Sequence, residues 1–228
     1  MFIGHFGLAF AAKGAAPRTS LGTTFVAAQL ADLLWPIFLL VGAEQVRILS
    51  ARPNPLLTLD FVSYPWSHSL ATQLLGGLVL GGLYFVITRY GAGAIVVGLL
   101  VPSHWLLDLI VHVPDLPLYP GGASRFGLGL WRHPVATVIL EMIVYLAGVW
   151  IYARATSATD RVGRYGLWTL VVFLFLLYGA SFGPPPPSVK VLAGTALIGW
   201  PLWAWPWWVD RHRQITSAAG LPEPSARP

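Results

Sequence analysis

GAIVVGLLVPSHWLLDLIVH, residues 93–112, decides how this chain is read. A helix rising about 1.5 Å per residue needs about 20 residues to cross about 30 Å of hydrocarbon, and this run has that length and character. It also carries His104, Asp108 and His112 at i, i+4 and i+8, which stacks the three on one helical stripe. An apolar helix with such a stripe turns it away from lipid, because a charge facing hydrocarbon is costly.

Comparable apolar runs lie near 19–42, 65–88, 133–153, 164–182 and 189–209. The expected fold is therefore all-α: a polytopic integral membrane helical bundle of about six transmembrane helices, with a short N-terminal half-helix near 2–14. Composition agrees, since the 228 residues are 56% hydrophobic and 10% charged, with a mean hydropathy of +0.66. ARPNP at 51–55 and PPPP at 184–187 mark loops, because proline lacks the amide donor and clashes with the preceding turn. A single transmembrane domain is expected over 1–212, followed by a polar, disordered cytoplasmic tail over 213–228. The opening MFIGHFGLAFAAKGAAP places Lys13 and Arg18 after its apolar run, unlike a signal peptide, and reads as retained structure.

The absence of cysteine excludes disulfides and thiolate chemistry, so any metal must use His, Asp or Glu. A net charge of +5 with a pI near 9.8 raises nucleic acid, but the basic residues are scattered over short loops, which topology explains better. The expected partner is the lipid bilayer, with no nucleic acid. Counted by alternate loops, Lys13, Arg18, Arg89, Arg154, Arg161, Arg164, Arg211, Arg213 and Arg227 share one side, and Arg47, Arg52, Arg125, Arg132 and Lys190 the other. The richer side is expected to be cytoplasmic, placing both the start of the first full span and the C-terminus there. The tryptophans of WPLWAWPWW, 200–208, suit an interfacial belt.

Against this background the intramembrane polar residues stand out. Asp32 falls mid-span, with Gln29 and Pro36 one turn either side, so it must have a partner. His68 in YPWSHSL follows Pro65 and belongs to a helix start, where the dipole favours the neutral imidazole that a metal requires. On the alternate-loop topology, Asp32, His68, His104 and Asp108 reach one level in the outer half of the bilayer from three helices. His5 rises to it if the half-helix folds back through Gly14–Pro17, and His112, Asp115 and His133 fall at outer ends of spans. Each residue alone is as compatible with a packing contact or a capped surface histidine, whereas their convergence points to a functional site. Glu141 is a further acid of this site or a partner for a neighbouring helix. Arg125 and Arg132, flanking GLGLW, either offer cations to an anionic substrate or snorkel to the interface.

These residues resemble a family. Gly4-His5, LADLLWP with Asp32, SHSL with His68 and Ser69, SHWLLD with His104 and Asp108, and the turn PLYPGG (117–122) are similar to the bacterial membrane-bound metal-dependent hydrolases, themselves distantly similar to zinc-dependent phospholipase C. The resemblance covers about residues 4–122. It implies a divalent metal, zinc first, held by all or some of His5, Asp32, His68, His104 and Asp108. It further implies hydrolysis by metal-bound hydroxide of a phosphoester or lipid-like substrate, in a bacterial inner membrane. Ala-Asp-Leu-Leu stands where the family has Pro-Asp-x-Asp, and Ser63 where it has a further histidine, which leaves one metal as the expectation instead of two. Asp108 or Asp32 would act as general base or orient a ligating imidazole. The competing readings are an ion-coupled transporter or permease built on the same His/Asp site, a haem held between His68 and His104, and a purely structural role.

Overall fold

The structure is a computed structural model that describes residues 1–49, 54–198 and 200–216, so Arg52 and the tail 217–228 lie outside the described residues. In chain order, α1 (Ile3–Ala15), α2 (Leu21–Ala28) and α3 (Leu30–Leu40) lead to a hairpin of β1 (Gln45–Ile48) and β2 (Leu59–Ser63), then the single turn α4 (Pro65–His68) and the pair α5 (Leu70–Thr88) and α6 (Gly91–Val111). A short ladder of β3 (Leu116–Pro117) and β4 (Arg125–Phe126) precedes α7 (Pro134–Ala155), β5 (Thr156–Ala158) and α8 (Arg161–Ala180). α9 (Val189–Ile198), α10 (Ala204–Arg211) and β6 (Arg213–Ile215) complete the described chain.

Among the described residues four helices, α5 to α8, are long and apolar enough to cross a membrane, and α2 with α3 makes a fifth if the bent pair counts as one span. The chain is thus a helical bundle with the make-up of a multi-pass membrane protein, and two of the six expected spans differ. The run 19–42 is broken at Gln29, whose φ of −111° and ψ of 13° leave the helical region, and the two halves meet at 53°. Among its described residues the run 189–209 has two short helices and a 3-10 turn at Trp200–Trp203, and neither helix qualifies as a span. Pro201 and Pro206 explain it, since each removes an amide donor and blocks the turn before it. The tail also begins later than expected: β6 pairs antiparallel with β5, Thr156 opposite Ile215, so residues 213–215 belong to the folded body.

Glycine sets how closely the helices approach. Gly77 and Gly81 of α5 lie on the backbone of Gly98 and Ala94 in α6, and Gly7 of α1 lies on Gly148 and the Val144 carbonyl in α7; a Cβ at these glycines would strike backbone. In lipid, where burial of apolar surface gives little net drive, such contact is what holds helices together. Leu75, Leu78, Val79 and Val86 face outward on α5 while Gln73, Gly77 and Gly81 face inward. α6 and α1, which carry most of the polar residues of interest, are therefore each clamped against a neighbour.

The end of the bundle away from the β1–β2 hairpin is closed by ion pairing. Lys13 Nζ donates to Asp210 Oδ2 (2.8 Å) and the Thr19 carbonyl (3.1 Å), and Tyr152 donates to Asp210 Oδ1 (2.7 Å). Arg18 lies over the Tyr90 ring at 4.7 Å, and Arg213 donates to the carbonyls of Thr156 and Gly163. The C-terminal ends of α1, α7 and α10 and the junction of α5 with α6 thus share one face.

Candidate metal centre

Four elements meet at the opposite end. α6 brings His104 and Asp108, and His112 follows as its C-cap, its amide donating to the Asp108 carbonyl. α1 brings His5, α3 brings Asp32, and α4 brings His68. The last sits differently from expectation: Ser69, at ψ 147°, ends the single turn Pro65–His68 and caps a separate helix α5 by accepting from the Thr72 amide. His68 therefore occupies an elbow between two helices, with its ring 4% exposed.

Asp108 is the hub. Its Oδ1 lies 3.1 Å from His5 Nε2 and its Oδ2 3.2 Å from His104 Nε2, with His112 Nε2 at 3.9 Å and His68 Nε2 at 4.0 Å. The amino group of Met1 also contacts Oδ1. Asp32 closes the other side, Oδ1 lying 3.4 Å from His68 Nε2 and Oδ2 3.8 Å from His104 Nε2. The His5 and His104 rings stack in parallel with centroids 3.7 Å apart. Ligand atoms of His5, Asp32 and His104, and those of His68, His104 and Asp108, all lie within 4.8 Å of one another in each group. Ligands bound about 2.0–2.2 Å from a tetrahedral ion sit about 3.3–3.6 Å from each other, so these separations suit one ion.

The outer nitrogens settle which edge each ring presents. A carbonyl can only accept, so His104 Nδ1, 2.8 Å from the carbonyl of Ala28 at the α2–α3 bend, must carry a proton. The Glu44 carboxylate accepts from the amides of Trp66 (2.7 Å) and Ser67 (2.8 Å) and from Ser67 Oγ (2.6 Å). Having donated its proton to Glu44, Ser67 Oγ must accept from His68 Nδ1 at 2.7 Å. His112 Nδ1 lies 2.9 Å from Asp115 Oδ1, which also accepts from Tyr64 (2.7 Å). Burial, with the Asp115 carboxylate adding to it, pushes the Tyr64 phenol well above its usual range and keeps it a donor.

With their Nδ1 atoms so engaged, His68, His104 and His112 turn Nε2 toward the carboxylate oxygens of Asp32 and Asp108. His104 Nε2 is buried with no hydrogen-bond partner, as is His5 Nδ1. The residues present therefore fit a divalent metal, and nitrogen and oxygen donors held from behind by carbonyl, hydroxyl and carboxylate groups suit zinc or a neighbouring first-row ion. A haem does not fit, because the His68 and His104 rings are 5.3 Å apart and converge on the same carboxylates, leaving no space for a macrocycle.

Asp32, His68, Asp108 and His112 lie on the wall of a cavity of about 970 Å³ whose remaining lining is mostly apolar, including Phe25, Trp35, Leu174 and Leu192. Asp32 is the carboxylate open to it, its side chain 39% accessible against 2% for Asp108.

The structure brings together His5, Asp32, His68, His104 and Asp108 and leaves the other candidates elsewhere or in supporting places. Glu141 accepts from the amides of Phe2 (2.8 Å) and Gly4 (3.3 Å), so it anchors the start of α1 beside His5. Arg125 donates to the carbonyls of Gly122 and Ser124 in its own loop, and Arg132 and His133 are exposed. Glu44 and Ser67 were not visible as members of the site. Glu44 follows an apolar run and looks like a surface acid, and only the fold places it behind His68. Compared with known proteins, the chain matches no family model, no curated protein and no solved structure, so the reading of this centre rests on its own geometry.

Proposed function

We propose that this chain is a membrane-embedded, metal-dependent hydrolase acting on a phosphoester or lipid-like substrate, with zinc as the first candidate metal. The observation that carries the reading is the convergence of Nε2 of His68, His104 and His112 on the carboxylates of Asp32 and Asp108, each ring held from behind through Nδ1. His5, Asp32, His68, His104 and Asp108, or some of them, would hold the ion. A bound zinc supplies Lewis acidity, polarising an ester oxygen and lowering the pKa of water to about 7.

The protein's own groups supply the rest. Ala28, Ser67 with Glu44, and Asp115 with Tyr64 orient imidazoles and keep their protons on the outer nitrogens. Asp32, open to the cavity, is placed to take a proton from attacking water, while Asp108 is closed in and holds the histidines in register. The rest of the cavity wall is mostly apolar. Resemblance of LADLLWP, SHSL and SHWLLD to the bacterial membrane-bound hydrolases supports the same reading and, with it, an inner-membrane location. The shared face of Lys13, Arg18, Arg211 and Arg213 supports a cytoplasmic position for that end and an outer position for the centre.

The test is metal analysis of detergent-purified protein together with release of phosphate from phosphatidic acid. Stoichiometric zinc lost on His104→Ala, with turnover lost alongside it, supports the proposal. Full turnover by metal-free protein overturns it.

A further inference from the structure

The cavity beside the centre lies in the part of the bundle where the helices part. α9 packs on α3 and touches β1, whereas α8 packs on α10 and α1; α8 and α9 share almost no contact, although they are consecutive helices joined through PPPP. Leu177 of α8 and Val191 of α9 both line the cavity and keep 41% and 43% of their surface accessible. Leu174, one turn from Leu177 and 5% exposed, forms the inner wall. The space between the two helices is therefore a sideways opening through apolar side chains that leads to Asp32 and His68.

We propose that this opening is a lateral portal and acyl-chain site for a bilayer lipid that carries a phosphoester headgroup. The polarity of the cavity carries the assignment. One end holds the His and Asp cluster, which with a bound metal would take an anionic oxygen, and the remainder is lined mostly by hydrocarbon side chains, with Glu141 bonded to the start of α1 and no Lys or Arg among the described lining residues. A water-soluble phosphoester needs no such wall and no opening at membrane depth. An amphiphile matches both ends at once, and a volume of about 970 Å³ is ample for its chains. The inference rests on the proposed hydrolase reading for the role of the polar end, but the portal is tested by binding as well as by turnover.

The chain lacks cysteine, so Leu177→Cys with Val191→Cys gives a clean pair that a bis-maleimide can bridge across the opening. Dipalmitoyl phosphatidic acid in nanodiscs and soluble dihexanoyl phosphatidic acid are the probes, with inorganic phosphate as the product read. Relative to the unbridged pair, bridging is expected to cut turnover of the long-chain lipid about tenfold or more, with the short-chain ester changed less than about twofold. Equal effects on both probes, or none on either, overturn the portal. If neither probe is hydrolysed, the hydrolase reading fails, and native mass spectrometry of chelator-treated protein decides the portal by itself. Preferential retention of the dipalmitoyl lipid, abolished by bridging before exposure to lipid, supports it, and no preference between chain lengths overturns it.

Discussion

Replacing Glu44 by glutamine changes one atom and should disable the centre by reversing a hydrogen-bond chain. Glu44 Oε1 accepts two backbone amides, from Trp66 and Ser67, so a glutamine there must keep its carbonyl oxygen on them and present its amide nitrogen to Ser67 Oγ. Ser67 then accepts where it formerly donated, and its proton turns to His68 Nδ1, 2.7 Å away. The imidazole proton moves to Nε2, the edge that faces Asp32 and Asp108. No hydrogen bond is lost and no volume changes, so the thermal midpoint should stay close to wild type. Zinc affinity should fall about 10–100-fold, the range for groups that orient a ligating histidine, or about 1.4–2.8 kcal/mol. Competition with a chromophoric chelator in detergent measures the affinity, and nitrogen NMR of labelled histidine reads the tautomer directly. Ser67→Ala, which frees the ring to choose its tautomer, should fall between the two. Wild-type affinity in Glu44→Gln, in a protein where His68→Ala binds zinc weakly, would refute the relay.

Three further outcomes follow from packing and charge. Asp210→Ala leaves the Lys13 ammonium buried without its carboxylate and should cost about 3–5 kcal/mol in thermal or denaturant unfolding, part of which Lys13→Met in the same chain recovers. Gly148→Val forces a side chain into the backbone of Gly7 and should lower the unfolding midpoint by the equivalent of about 1–3 kcal/mol or more, with zinc affinity falling as α1 and His5 shift. The Gly163 amide and then the His212 imidazole hold the Asp160 carboxyl below its usual range, so its contribution is present above that range and is lost as pH falls through the lowered value. A pH series of thermal midpoints should therefore flatten at its acid end in Asp160→Asn.

The helices α5 to α8 were legible because an uninterrupted apolar run of spanning length has few alternatives. Position along the runs 19–42, 65–88 and 93–112 was enough to expect Asp32, His68, His104 and Asp108 together, and His5 needed only a fold-back at Gly14–Pro17. The bend at Gln29 was not legible, since no proline or glycine marks it and the angle shows only in the packing of α2 and α3. The run 189–209 carried its own warning in Pro201 and Pro206, which hydropathy alone overlooks. Glu141 was visible as a buried acid, but its partners are main-chain amides, which leave no trace in residue types. Glu44 lies far from His68 along the chain, and a hairpin separates them.

The two best-held histidines depend on different kinds of inheritance. His68 relies on Ser67 and Glu44, each specified by a codon, so a single base change can undo its orientation. His104 leans on the carbonyl of Ala28, an atom that every residue type supplies. Substitution at position 28 can crowd that contact but cannot delete it. What preserves it is the bend itself, so drift that straightens the α2–α3 junction would cost this ring its orientation while leaving the whole His and Asp set in place. A chain that keeps all five residues can therefore still have lost the arrangement proposed to hold a metal.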